Sequence, residues 1–176
     1  MVIDKDGDVK IAQYGQWDGY PSGQGRTIVS FLQTKKNRDK LLSKLKRIRF
    51  LEIDGRDKDF VKEYNKNVPQ FSHEPDNRTP ERKRWFDTYI SRNIGGKILE
   101  TIAKATDDEI VLIDETETAK HGGWVEYTYI VNFKRGSLTC KHYIDDEEPL
   151  KEYDLDALPT PDEFVEELET IIKQND

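Results

Sequence analysis

The apolar positions of this chain change period along its length. Met1 to Ile3 and Val9 to Tyr14 are two short extended runs, separated by Asp4-Lys5-Asp6-Gly7. Asp-Gly turn chemistry between two such runs predicts a β-hairpin. From Arg26 the spacing becomes helical: Ile28, Phe31 and Leu32 share a face, and after a break predicted at Asn37 the positions Leu41, Leu45 and Ile48 repeat it. Asp54-Gly55 closes that region, residues 59–66 read as a short helix, and residues 68–79, with Pro69 and Pro75, read as a loop.

A second helical region begins at Pro80, which suits a first helical position. Its stripe is Phe86, Ile90, Ile94 and Ile98, extended by Leu99 and Ile102 and interrupted by Gly95-Gly96. Two glycines inside a helix cost about 1 kcal/mol each relative to alanine, so close packing against another backbone is expected there. The remainder is strand-rich. Glu109 to Asp114 is a short apolar run. Trp124 to Phe133 places Val125, Tyr127, Tyr129, Val131 and Phe133 on one face. A turn at Lys134 to Ser137 leads to a return strand of alternating Leu138, Cys140, His142 and Ile144, and Lys151 to Leu155 reads as a further strand. A last helix is announced by Thr160 as N-cap, Pro161 in the first turn and Glu163 completing a capping box. Its buried stripe is Phe164, Leu168, Ile171 and Ile172. The predicted fold is α+β: an antiparallel sheet of about five to six strands with helices packed on one face, in a single domain spanning 1–176.

Composition sharpens this picture. Only 35% of residues are hydrophobic and 36% are charged, which suits a small core under a charged surface. Three Trp, eight Tyr and seven Phe argue for a folded chain. The lone Cys140 excludes an internal disulfide and fits a reducing compartment. The opening residues do not read as a signal peptide and no apolar run is long enough to span a bilayer, so a cytoplasmic protein with no membrane partner is expected. The net charge of −7 is uneven. Eight basic residues stand against Asp39 alone between Thr34 and Phe50. Thirteen acidic residues stand against Lys151 and Lys173 from Ile144 to Asp176. Both runs are expected to be solvated helix faces. Overall acidity repels phosphate backbones, so nucleic acid is not the expected partner.

The most informative stretch is Tyr14-Gly15-Gln16-Trp17-Asp18-Gly19-Tyr20-Pro21-Ser22-Gly23-Gln24-Gly25. Such a glycine-rich loop is costly to order, yet it carries aromatic surface where a plain connection would be polar. Trp17 and Tyr20 could stack on a base. Gln16, Asp18, Ser22 and Gln24 could supply directed hydrogen bonds. The N–H groups of Ser22 to Gly25, at the start of a helix, could hold a phosphate, with Arg26 and Arg92 balancing charge. The competing reading makes Tyr14, Trp17 and Tyr20 core anchors and the glycines turn residues. The stretch is neither a P-loop nor a dinucleotide-binding fingerprint.

This segment resembles the signature of a family of small bacteriophage and prophage proteins, whose members carry Y-G-Q-W-D-G-Y-P-S-G-Q-G or a similar sequence after a first strand. The resemblance continues at Ser91 to Leu99, Trp124 to Phe133 and Leu155 to Thr160, so it spans most of the chain. It implies a viral or prophage origin and a likeness to the small proteins with which phages trap nucleotide immune signals, either cyclic or of the ADP-ribose type. Such traps often use subunit interfaces, so a homo-oligomer is among the expected assemblies. Two other readings stand beside this one. A hydrolase would draw on Asp18, His73, His121 and His142, but no histidine has metal-ligand spacing to another, and Cys140 has no evident base partner. An inhibitor would dock its acidic C-terminal region on a host protein. A binding protein without cofactor or metal is the expectation carried forward.

Overall fold

The computed structural model describes residues 1–15, 17–51, 80–121, 125–142 and 148–175. The readings made above for residues 52–79, Gln16, His73, Trp124 and Ile144 lie outside the described residues. The hairpin forms as β1 (Val2–Ile3) and β2 (Val9–Ile11), paired antiparallel. Its turn is organised by one buried side chain: Asp4 Oδ1 accepts the N–H groups of Asp6, Gly7 and Asp8 at 2.9, 3.0 and 3.0 Å. Burial pushes this carboxyl up, and those N–H groups outweigh it and hold it below its ordinary value. Gly7 lies at φ +101, a region that a side chain would strain.

Helix α1 spans Arg26–Leu32 and α2 spans Lys35–Leu45. The break between them falls at Gln33 and Thr34, earlier than Asn37, and Asn37 Nδ2 instead donates to the Phe31 carbonyl at 3.2 Å. Ile48 leaves the helical stripe and opens β3 (Ile48–Phe50), which pairs in parallel with β4 (Ile110–Leu112). Between these strands come α3 (Pro80–Trp85), a wide π-helical turn at Phe86–Ile90, a 3₁₀ turn at Gly95–Lys97 and α4 (Ile98–Lys104). The helical stripe predicted from Phe86 to Ile102 is thus one face of two pieces. The short helix α5 (Thr116–His121) follows β4.

Strands β5 (Tyr127–Asn132), β6 (Ser137–His142) and β7 (Lys151–Asp154) form an antiparallel meander. Gly136, at φ +70, turns β5 into β6. The main sheet has five strands in the order β2-β1-β5-β6-β7. It is mixed, because β1 runs parallel to β5, with Val2 opposite Val131. Register places Ile11, Val2, Val131, Leu138 and Tyr153 across one face. All five are buried, and this face carries the helices. Helix α6 (Pro161–Asn175) covers it with Phe164 and Leu168, both fully buried, and the Phe164 ring sits 5.3 Å from that of Tyr153.

The predicted capping box is present. Glu163 N–H donates to Thr160 Oγ1 at 3.3 Å, and Glu163 Oε2 accepts Thr160 N–H at 2.9 Å. The basic run is not a uniformly solvated face. Arg38 is buried, donates to the Leu32 carbonyl at 2.6 Å and pairs with Asp156 at 2.7 Å; Arg49 pairs with Glu109 at 3.0 Å. Lys36, Lys40 and Lys46 are exposed. Among the described residues no helix is long and apolar enough to cross a membrane.

Candidate functional site

The segment from Tyr14 to Gly25 runs from β2 to α1 and is pinned along its length. Asp18 occupies the left-handed region, φ 56, the only described non-glycine residue with positive φ. Short polar side chains tolerate that conformation best. The chain then closes a π-helical turn at Pro21–Gly25, a form that occurs often at functional sites. Gly23 N–H donates to the Tyr20 carbonyl at 3.0 Å, Gln24 N–H to the Asp18 carbonyl at 2.8 Å and Gly25 N–H to the Tyr20 carbonyl at 3.3 Å. Arg26 N–H donates to the Pro21 carbonyl. These bonds correct one expectation. Of the four N–H groups from Ser22 to Gly25 expected to hold a phosphate, those of Gly23, Gln24 and Gly25 are consumed inside the loop.

Contacts from elsewhere hold the loop in place. Gln24 Oε1 accepts Gly96 N–H at 2.6 Å, while Gln24 Nε2 donates to the Trp17 carbonyl at 3.1 Å. Tyr129 Oη donates to the Gly19 carbonyl at 2.9 Å. The Gly95-Gly96 interruption now has its reason. A Cβ on Gly95 would lie 2.3 Å from Gln24 Oε1, and Gly15 and Gly95 approach so closely that a Cβ on Gly15 would sit 3.2 Å from Gly95 Cα. Packing explains both glycines, and neither Gln24 nor its partners showed this in the sequence.

On this fixed loop, Trp17 and Tyr20 are 62% and 53% exposed, the only large apolar side chains so exposed among the described residues. They are not core anchors. Tyr20 packs at 5.7 Å against Tyr127, which stacks on His142 at 4.9 Å with 24° between ring planes. This aromatic ladder at one end of β5 and β6 was not anticipated. Asp18 and Ser22 are also exposed. Tyr14 is half-buried. Its N–H donates to Glu115 Oε2 at 2.5 Å, and the Arg92 guanidinium lies 5.1 Å over its ring. Arg92 also approaches Glu115 at 3.9 Å. At the other end of the segment Arg26 pairs with Asp162 at 2.5 Å. Each arginine thus has a carboxylate beside it, so neither brings uncompensated positive charge to the loop.

Behind the segment lies a cavity of about 110 Å³. Tyr14, Gly15, Gly19 and Gln24 form one wall; Trp17 and Tyr20 do not line it. The structure therefore divides the predicted site in two: rings facing water, and a hollow on the inner side.

Cys140 and His142 are both held in packed surroundings. Cys140 is buried, and burial pushes its thiol well above the ordinary range, which suits a packed side chain rather than a nucleophile. His142 is engaged with Tyr127 and lies 4.0 Å from Glu126. Among the described residues no three His, Cys, Asp or Glu side chains converge to hold a metal ion. No protein-family model, curated protein or solved structure matches the chain.

Proposed function

We propose that this protein is a binding protein that sequesters a planar ligand on the exposed face of Trp17 and Tyr20. The ligand class proposed is a nucleotide of the cyclic or ADP-ribose type. The setting proposed, on the family resemblance, is a phage protein in the host bacterial cytosol that removes a nucleotide immune signal. One observation carries the reading. A loop fixed by internal carbonyls, by Gly96 and by Tyr129 holds two large aromatic rings out in water. An ordered glycine-rich loop has already lost its conformational entropy, so stacking a guest costs little further ordering.

Stacking on an aromatic ring contributes about 1–3 kcal/mol per base. With the Gly23 to Gly25 amides occupied, phosphate oxygens would be met by side chains: the exposed Ser22 hydroxyl, and Arg26 next to the segment, which would exchange Asp162 for the phosphate. Calorimetry against cyclic mononucleotides, cyclic dinucleotides and ADP-ribose is the test. Micromolar or tighter binding is expected for at least one class, weakened at least tenfold by Trp17→Ala, with the ligand recovered unchanged. No binding to any class overturns the proposal, and a cleaved ligand would make the protein a hydrolase.

A further inference from the structure

The cavity behind the segment has an aliphatic floor. Val2, Ile11 and Val131 come from the sheet and Ile28, Ile98 and Leu99 from the helices, and all six are buried. Half-buried residues, among them Gly15, Gly19 and Tyr127, line its outer side. The polar side chains that border it are engaged with partners of their own. Glu115 Oε2 accepts Tyr14 N–H, and Arg92 stands 3.9 Å from the other carboxylate oxygen. Gln24 Oε1 accepts Gly96 N–H, and its Nε2 donates to the Trp17 carbonyl. Tyr129 Oη donates to the Gly19 carbonyl, and Gln13 Nε2 lies 3.4 and 3.5 Å from the carbonyls of Ser91 and Tyr14. Alternation along β5 puts the Thr128 hydroxyl on the sheet face opposite Tyr129 and Val131.

We infer that this cavity is a binding site for a small, uncharged, apolar molecule no larger than about one hydrocarbon ring. Two arguments lead there. The first is size. At about 110 Å³ the space is of the order of the roughly 150 Å³ cavity that takes up benzene, so one ring fits and a fused bicyclic does not. The second is the chemistry of the walls. A charged guest would give up its hydration to a floor of six aliphatic side chains, and nothing in that floor offsets the cost. An apolar guest gains instead, because its own surface and the aliphatic floor leave water together. It asks no hydrogen bond of Glu115, Gln24 or Tyr129, whose present bonds stay intact. Trp17 and Tyr20 are not in the lining, so the site does not rest on the nucleotide proposal.

Benzene, benzoate, benzylamine and naphthalene are the probes, since they vary charge and size around one ring. With methyl-labelled protein, benzene should shift the methyl resonances of Val2, Ile28, Leu99 and Val131. At about five times its Kd it should raise the melting temperature by about 2 °C. Benzoate, benzylamine and naphthalene should each bind at least about tenfold more weakly than benzene. Val2→Ile and Val131→Ile each add one methylene to the floor and keep a β-branched residue in its strand. Each should leave a cooperative melting transition and weaken benzene about threefold, because the added carbon takes space the guest needs. Trp17→Ala should leave benzene binding intact, so failure at the stacking face and failure in the cavity are read separately. No methyl shifts with benzene, shifts confined to residues around Trp17 and Tyr20, equal binding of benzene and benzoate, or unaltered benzene affinity in both Val2→Ile and Val131→Ile would overturn the inference.

Discussion

Helix α6 opens on Pro161 and the turn leading into α1 opens on Pro21, and both helices must satisfy the N–H groups that a first turn leaves without intrahelical partners. Helix α6 does this with side chains three residues apart. Thr160 and Glu163 exchange hydrogen bonds, and the Glu163 carboxylate also receives the Thr160 hydroxyl at 2.8 Å. Helix α1 has no side-chain cap. The amides that lead into it are taken by carbonyls of its own approach, Asp18, Tyr20 and Pro21. The first solution uses two residue types at a fixed spacing and leaves the approach free to vary. The second requires a particular path of backbone, with Asp18 left-handed and no side chain at Gly23. That path is what holds Trp17 and Tyr20 in water. The difference teaches that Gly23 and Gly25 shape a scaffold, their amides being spent on the loop's own carbonyls.

The comparison can be broken most forcefully at Gly23. A Cβ there would lie 2.3 Å from the Asp18 carbonyl oxygen, a backbone atom that cannot swing aside. Gly23→Ala should destabilise the fold by about 3 kcal/mol, the upper part of the range for overpacking. Urea denaturation measures it, and a loss under about 0.5 kcal/mol would mean that the approach to α1 has slack. At the other helix, Thr160→Ala should cost about 1 kcal/mol, with Thr160→Ser close to wild type. Trp17→Ala should change stability by no more than about 0.5 kcal/mol, because the ring is exposed. A larger loss would return Trp17 to a structural role.

The smallest effect concerns pH. The Thr160 N–H, and after it the Thr160 hydroxyl, hold the Glu163 carboxyl below its ordinary value. A carboxyl lowered in the folded state contributes stability above its unfolded value, about 4.3. That contribution is lost as pH falls through the lower folded value. The stability advantage of wild type over Glu163→Ala should therefore narrow as the solution is acidified below about pH 4. Chemical denaturation across that interval reads the effect; a gap that stays constant would assign the cap to uncharged hydrogen bonding.

Features written in neighbouring residues were legible. The hairpin of β1 and β2, the strand around Tyr127 to Val131, the return through Leu138 and Cys140, and the start of α6 follow from alternation, turn residues and a three-residue motif. The aromatic segment stood out as the place to look. What escaped had partners far along the chain. Ile48 fits a helical stripe by spacing, yet it lies in β3 because Ile110 pairs beside it. Gln24 reads as an amide offered to a ligand, yet it bridges Trp17 and Gly96. Arg38 sits in a basic run, yet it is buried between the Leu32 carbonyl and Asp156. Glu115, Tyr127 and Thr128 lie beside the segment only after folding.

The amino-acid sequence alone determined the class of fold and the type of most described elements, because periodicity and capping act over a few residues. It also determined that an ordered loop here must carry aromatic surface. Only the tertiary structure decided which way that surface faces. Backbone amides have no identity in a sequence, and whether they meet a ligand or a carbonyl depends on the path of the chain. The parallel pairing of β1 with β5, the occupied amides before α1 and the cavity behind them all arise from contacts between distant segments, which no local pattern encodes.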